Sequence, residues 1–134
     1  MQTKSTNYYN TLITPSDDSK AERAIVPERP GTVATLQYEL LAGAPYGMTS
    51  DDLIWRVQVL RGGAADTVEA RAAFFSRGQP CLRASPLVRS YGWGVHHDAK
   101  GRVALVARES PDFTRLLADP GIVKRPGMRS VRKI

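Results

Sequence analysis

Residues 91–107 read YGWGVHHDAKGRVALVA, and how this stretch folds decides the architecture of the chain. Two extended segments, Gly92 to His97 and Arg102 to Ala107, flank Asp98-Ala99-Lys100-Gly101. That connection suits a type I turn closed by a glycine at positive φ, with a bulge beside it. With the bulge at Gly101, Trp93, Val95 and His97 share one face with Val103, Leu105 and Ala107, while Gly92, Gly94 and His96 turn to the other. Two glycines on one face remove side chains where a ligand or another element could approach the backbone closely.

Outward from this hairpin, Cys81 to Ser85 reads as a third extended segment. Downstream, Ser110 is placed to cap a helix that has Pro111 in its first turn and Phe113, Leu116 and Leu117 as its apolar stripe, ended by Asp119-Pro120-Gly121. Upstream, Val33, Leu36 and Leu40, with Tyr38 and Leu41, have helical spacing and stop at Gly43 and Pro45. A second helix is expected over Asp66 to Arg77, where Val68, Ala72 and Phe75 recur and Gly78 follows as the cap. Between these helices, Leu53 to Leu60 (LIWRVQVL) alternates and is rich in β-branched and aromatic residues, which predicts a strand. Thr49 or Ser50 as a helix cap is the competing reading there. Tyr8 to Ile13 reads as an edge strand followed by a polar loop, and Pro27 and Pro30 make the next segment a linker. No internal repeat is present. The expected fold is α+β: a single compact domain over residues 1–123, its mainly antiparallel sheet of about four to five strands packed by about three helices.

With 134 residues, 42% hydrophobic and 24% charged, the chain matches one globular domain rather than a disordered or two-domain protein. No segment approaches the roughly 20 apolar residues of a membrane span, and the N-terminus lacks the apolar run of a secretory signal. Cys81 is the only cysteine, so no internal disulfide can form and a reducing cytoplasm is the expected compartment. The formal net charge is +6. Much of the excess lies in residues 124–134, where Lys124, Arg125, Arg129, Arg132 and Lys133 face no acid, so this segment reads as a basic tail. Nucleic-acid binding through that tail would show a salt-dependent affinity, and a solvated tail is the simpler reading.

The blocks NYYNT, LQYELL, PYGMTSDD, GQPCLRASPL, YGWGVHHD followed by KGRVAL, and MRSVR run over nearly the whole chain. In these blocks the chain resembles a small bacterial family known only as a domain of unknown function, DUF6157. The resemblance implies one compact unit of this length and carries no activity with it. The early loop SDDSKAERAIVPERPG departs from the pattern, so function is not expected there.

The stretch from Gln79 to Asp98 holds the only Cys, both His, a Trp and two Arg, and a site is expected within it. His96 and His97 are adjacent on a strand and point to opposite faces, so they do not readily bind one metal ion, and no metal is expected. Cys81 could act as a nucleophile with one of the His as base, but an isolated Cys is more often a small buried hydrophobe. Ser85 lacks the flanking glycines of a nucleophile elbow. Asp51 and Asp52 read as capping residues. Arg83, flanked by apolar residues, must reach solvent or pair with an anion, either an internal Asp52 or Glu39 or a ligand. Trp93 reads as a core anchor and Tyr91 as a residue open to a ligand.

Two functions are carried forward. The first is a binding or interaction module offering Arg83, Tyr91 and His96 to a small anionic or aromatic ligand or to a partner protein. The alternative is a small enzyme with His96 as general acid/base and Arg83 stabilising negative charge. The sequence specifies no cofactor, substrate or oligomeric state.

Overall fold

The computed structural model describes residues 2–131. In chain order its elements are β1 (Thr11–Thr14), α1 (Val33–Gly43), α2 (Ser50–Leu60), α3 (Val68–Ser76), a 3₁₀ turn (Leu82–Ala84), α4 (Pro86–Arg89), β2 (Trp93–His97), β3 (Val103–Ala107), α5 (Pro111–Ala118) and β4 (Val123–Pro126). The four strands form one mixed sheet in the order β3-β2-β1-β4, giving a single compact α+β unit. None of the described helices is long and apolar enough to cross a membrane.

The central hairpin takes the register its turn chemistry dictates. Trp93 faces Ala107, Val95 faces Leu105 and His97 faces Val103. Gly101 sits at φ +78°, and the Asp98 carboxylate accepts the amides of Lys100 and Arg102, which closes the turn. α5 begins as expected, with the Ser110 hydroxyl accepting the Phe113 amide and Pro111 in the first turn. α1 also matches its spacing, capped by Thr32. α3 starts two residues into its expected range, behind Thr67 as the cap.

Four segments depart from expectation. β1 is interior rather than an edge: it pairs antiparallel with β2 and parallel with β4, and Leu12 and Ile13 are fully buried. The edge is instead β4, formed by the first residues of the segment read as a solvated tail. Its backbone bonds to β1 while Lys124, Arg125 and Pro126 blunt the outer side, a common treatment of sheet edges. Docking continues beyond the strand, where the Gly127 amide donates to Thr14 O, Met128 N–H to Arg83 O, and the amides of Ser130 and Val131 to Asp18. Residues 132–134 of the expected tail lie outside the described residues.

Leu53–Leu60 is helix, not strand. Thr49 and Asp52 form a reciprocal capping box, and Asp51 and Asp52 place negative charge at the helix N-terminus. The apolar alternation arises because α2 is covered on two sides. Leu53 and Val57 pack into the core below the sheet, while Trp55 leans on Phe74 and donates its indole N–H to Asp66. Cys81–Ser85 is a 3₁₀ turn rather than a strand, because Ser85 caps α4 and Pro86 occupies that helix's first turn. The main core, built on Ile13, Leu41, Leu53, Leu82, Val88, Val95 and Val103, lies on the α1–α2 side of the sheet. A smaller one, Leu12, Val106 and Leu116 with Phe113 and Ile122, lies under α5.

Candidate functional site

Strand alternation sends the two histidines to different cores. His96 faces the α5 side beside Leu12 and Ala104, its register partners. It remains half-buried, and its Nδ1 lies 2.7 Å from the Tyr46 hydroxyl with the two rings edge to face. Tyr46 belongs to the loop between α1 and α2. That loop covers the outer edge of β3: the Tyr46 amide donates to Val103 O, and the Val103 amide donates to Met48 O. To make this turn Tyr46 adopts φ +57°, a left-handed conformation that costs energy for a residue with a side chain. Burial lowers the His96 pKa, and the nearby Asp98 carboxylate opposes that shift. The glycines of this strand are filled from within the protein. A Cβ at Gly94 would stand 3.0 Å from the Phe113 ring, and one at Gly92 would stand 2.6 Å from Arg23 O.

His97 lies on the main-core side with no exposed surface, and neither ring nitrogen has a hydrogen-bond partner. Burial pushes its pKa down to about 4, so the imidazole is neutral at pH 7. The Tyr8 ring meets it edge to face at 5.5 Å between centroids. The Tyr8 hydroxyl reaches Cys81 Sγ at 3.3 Å, and burial together with that thiol holds the Tyr8 pKa above its usual range. Arg125 lies over the Tyr8 ring. Among the described residues, no hydrogen bond joins Cys81 to either histidine, so a Cys/His pair is not assembled. No group of three or more His, Cys, Asp or Glu side chains gathers among the described residues as a metal ligand set would.

The three residues expected to share a pocket are spread over the molecule. Arg83 Nε donates to Pro126 O at 2.7 Å, beside Tyr8, and not to Asp52 or Glu39. Asp52 instead pairs with Arg71 at 3.0 Å. His96 is on the opposite side of the sheet from Tyr8 and Arg83. Tyr91 is half-buried where its carbonyl accepts the Ile25 amide. Trp93 donates its indole N–H to Ile25 O at 2.8 Å and packs on Tyr38, as an anchor does.

Where the expected segment does contribute to a concavity is at its start. Gln79 to Leu82 and Ala84 to Pro86, but not Arg83, form one wall of a cleft of about 230 Å³, and the facing wall carries Ile54, Val57, Gln58 and Arg61 from α2 and its C-cap. Their spacing of three, one and three residues places these four on a single helical face. The strand reading of Leu53–Leu60 hid that face, and a helical reading of the same residues would have exposed it. Inside the cleft Ser85 and Gln37, both about nineteen-twentieths buried at 5% exposure, are joined by a 2.6 Å hydrogen bond. Ser85 Oγ accepts the Leu87 amide as a cap and donates to Gln37 Oε1. Gln37 lines the cleft, and its amide nitrogen makes no hydrogen bond to the described residues. Gln37 carried no signal of this kind in the sequence, because a Gln on an amphipathic helix ordinarily reads as solvent-facing.

A second cleft, about 270 Å³, lies between the N-terminal segment and α3, lined by Lys4, Asp51, Arg71 and Phe75 among others. Its polar groups are largely satisfied internally. Asp51 accepts from Ser5 and Thr6, and Arg71 is paired with Asp52.

No curated protein and no solved structure matches this sequence. A family model does match, over residues 3–133, which is nearly the whole described chain and includes both walls of the cleft and both histidines. The chain therefore belongs to the family of unknown function DUF6157.

Proposed function

We propose that this protein is a small-ligand binding module whose site is the cleft between α2 and Gln79–Pro86. The observation that carries this reading is Gln37, a side chain at 5% exposure that lines the concave surface, with its amide oxygen held by Ser85 and its amide nitrogen making no hydrogen bond to the described residues. A ligand carbonyl or carboxylate would give that nitrogen an acceptor. Ligand sites have this composition, mostly apolar walls with a few convergent polar groups. Fragment screening by amide-resolved NMR tests the proposal. Hits that shift residues 54–61 and 79–86 together support it, and hits that cluster elsewhere refute it.

A second reading rests on His96. Its Nδ1 is held by Tyr46 and its Nε2 makes no hydrogen bond to the described residues, the arrangement in which one ring nitrogen is oriented and the other is left to exchange a proton. Turnover abolished by His96→Ala but retained by Arg61→Gln would favour this enzyme reading over the cleft.

A further inference from the structure

We propose that the cleft selects a small monocarboxylate with a short apolar body. This deepens the binding reading above and depends on it. The selectivity follows from what lines the cleft. Arg61 is its sole charged lining residue, it is exposed at the C-terminal end of α2, and it forms no ion pair among the described residues. The amides of Gln37 on α1 and Gln58 on α2 also line the cleft, so the site offers N–H donors from two elements and no carboxylate that would repel an anion. A carboxylate has two acceptor oxygens and one negative charge, which matches one guanidinium and one amide.

Phosphate is a poorer match. A dianion with three or more strong acceptors calls for more cations than one, and the walls here are Val33, Ile54, Val57, Phe74 and Leu82. Those walls favour hydrocarbon or an aromatic ring beside the charged end. The volume of about 230 Å³ lies below the 300–1,000 Å³ usual for drug-sized ligands, so the body must be short. An amine would place a cation against Arg61 and offer Gln37 no acceptor.

The experiment is an NMR titration of the intact protein with benzoate, isovalerate, benzamide, benzylamine and inorganic phosphate. Benzoate or isovalerate should shift the amides of residues 54–61 and 79–86, and benzylamine and phosphate should leave them unmoved. Affinity should fall at least about tenfold in Arg61→Gln and in Gln37→Glu, weaken with added salt, and stay unchanged in Arg83→Gln. Gln37→Glu keeps the size of the side chain and its acceptor for Ser85 while placing a negative charge at this position, so loss of carboxylate binding without loss of fold shows that the bound anion lies beside Gln37. If benzamide binds as tightly as benzoate, or phosphate binds more tightly, carboxylate selection is wrong while the cleft remains a binding site. If none of the five probes moves cleft residues, the inference falls. The binding reading falls with it only when the wider fragment screen also leaves the cleft untouched.

Discussion

On one side of β2, His96 shares a ring nitrogen with the Tyr46 hydroxyl and keeps part of its surface in water; on the other, His97 has no exposed surface and no hydrogen bond on either nitrogen. Two identical side chains, adjacent in sequence, thus sit in opposite electrostatic conditions because a strand reverses direction at every residue. The difference separates two kinds of polar group. His96 is placed as a group that can exchange a proton with solvent. His97 acts as a flat core filler between Tyr8 and Val103, and its polarity is a cost that the rest of the core offsets.

The sharpest way to break this comparison is acid. Above pH 6.5 the His97 imidazole is neutral in both the folded and the unfolded chain and contributes nothing to pH dependence. As pH falls, the unfolded chain takes up a proton that the folded one refuses until about pH 4. Stability is therefore lost across that window, and the loss stops growing below it. At 1.36 kcal/mol per pKa unit the drop from 6.5 to about 4 is worth about 3 kcal/mol. His97→Leu should remove this share of the pH dependence and be neutral or stabilising at pH 7, since it replaces unpartnered nitrogens with apolar atoms of similar volume. Urea unfolding in steps from pH 7 to pH 4.5 measures both effects. A His97→Leu variant as acid-sensitive as the parent would show that the buried imidazole is not the cause.

The next largest effect belongs to the His96 side. Gly94 lies two residues before His96, and the Phe113 ring and Ile13 O crowd the position a Cβ would take, at 3.0 and 3.1 Å. Gly94→Val should cost about 2 kcal/mol by overpacking and loosen α5 while leaving the His97 core in place. Thermal unfolding gives the loss, and amide exchange confined to α5 and β2 gives its location. A neutral substitution would mean that α5 shifts freely, and the His96 surroundings would then be less fixed than His97's.

How far the two sides were legible from sequence follows from which signals are local. Turn and cap chemistry was readable: Gly101 at positive φ set the register of the hairpin, and Ser110-Pro111 opened α5. The same Ser-Pro signal at Ser85-Pro86 was overridden by the apolar look of CLRASPL, so the 3₁₀ turn reads as a strand and the short helix after it goes unassigned. In α2 the capping residues Thr49 and Asp52 were visible, but burial on two sides produced an alternation that imitates a strand. Parallel pairing of β1 with β4 had no local signature at all, since it joins residues more than a hundred positions apart in the chain. The candidate site suffered from the same cause. Arg61 and Gln37 become site residues only once α2 is a helix and the 79–86 wall is folded against it, whereas Arg83 and His96 were visible as chemistry and are separated by the sheet.

That α2 rests on its cap is itself measurable. Thr49→Ala removes the hydroxyl that accepts the Asp52 amide and should cost about 1 kcal/mol. The same loop carries Tyr46, so His96, bonded to it directly, should respond more than His97, which meets the loop only through Val103. Chemical denaturation supplies the energy, and histidine ring resonances report which side moves. Equal perturbation of both rings would show that the loop supports the whole sheet rather than its β3 edge.

The smallest effect is the most specific to the comparison. Tyr46→Phe deletes the single hydrogen bond that distinguishes His96 from His97 and leaves the ring contact and the left-handed backbone unchanged. Because Tyr46 is 39% exposed and water can replace its hydroxyl, the cost should be under about 1 kcal/mol. The His96 titration followed by NMR should shift while the His97 ring signals stay fixed, because the sheet separates the two rings. If burial alone sets the His96 pKa, its titration will not move in this variant, and Tyr46 then positions the ring without tuning it. A loss of 2 kcal/mol or more would instead mean that the hydroxyl is part of the fold, removing the main structural argument for His96 as a functional group.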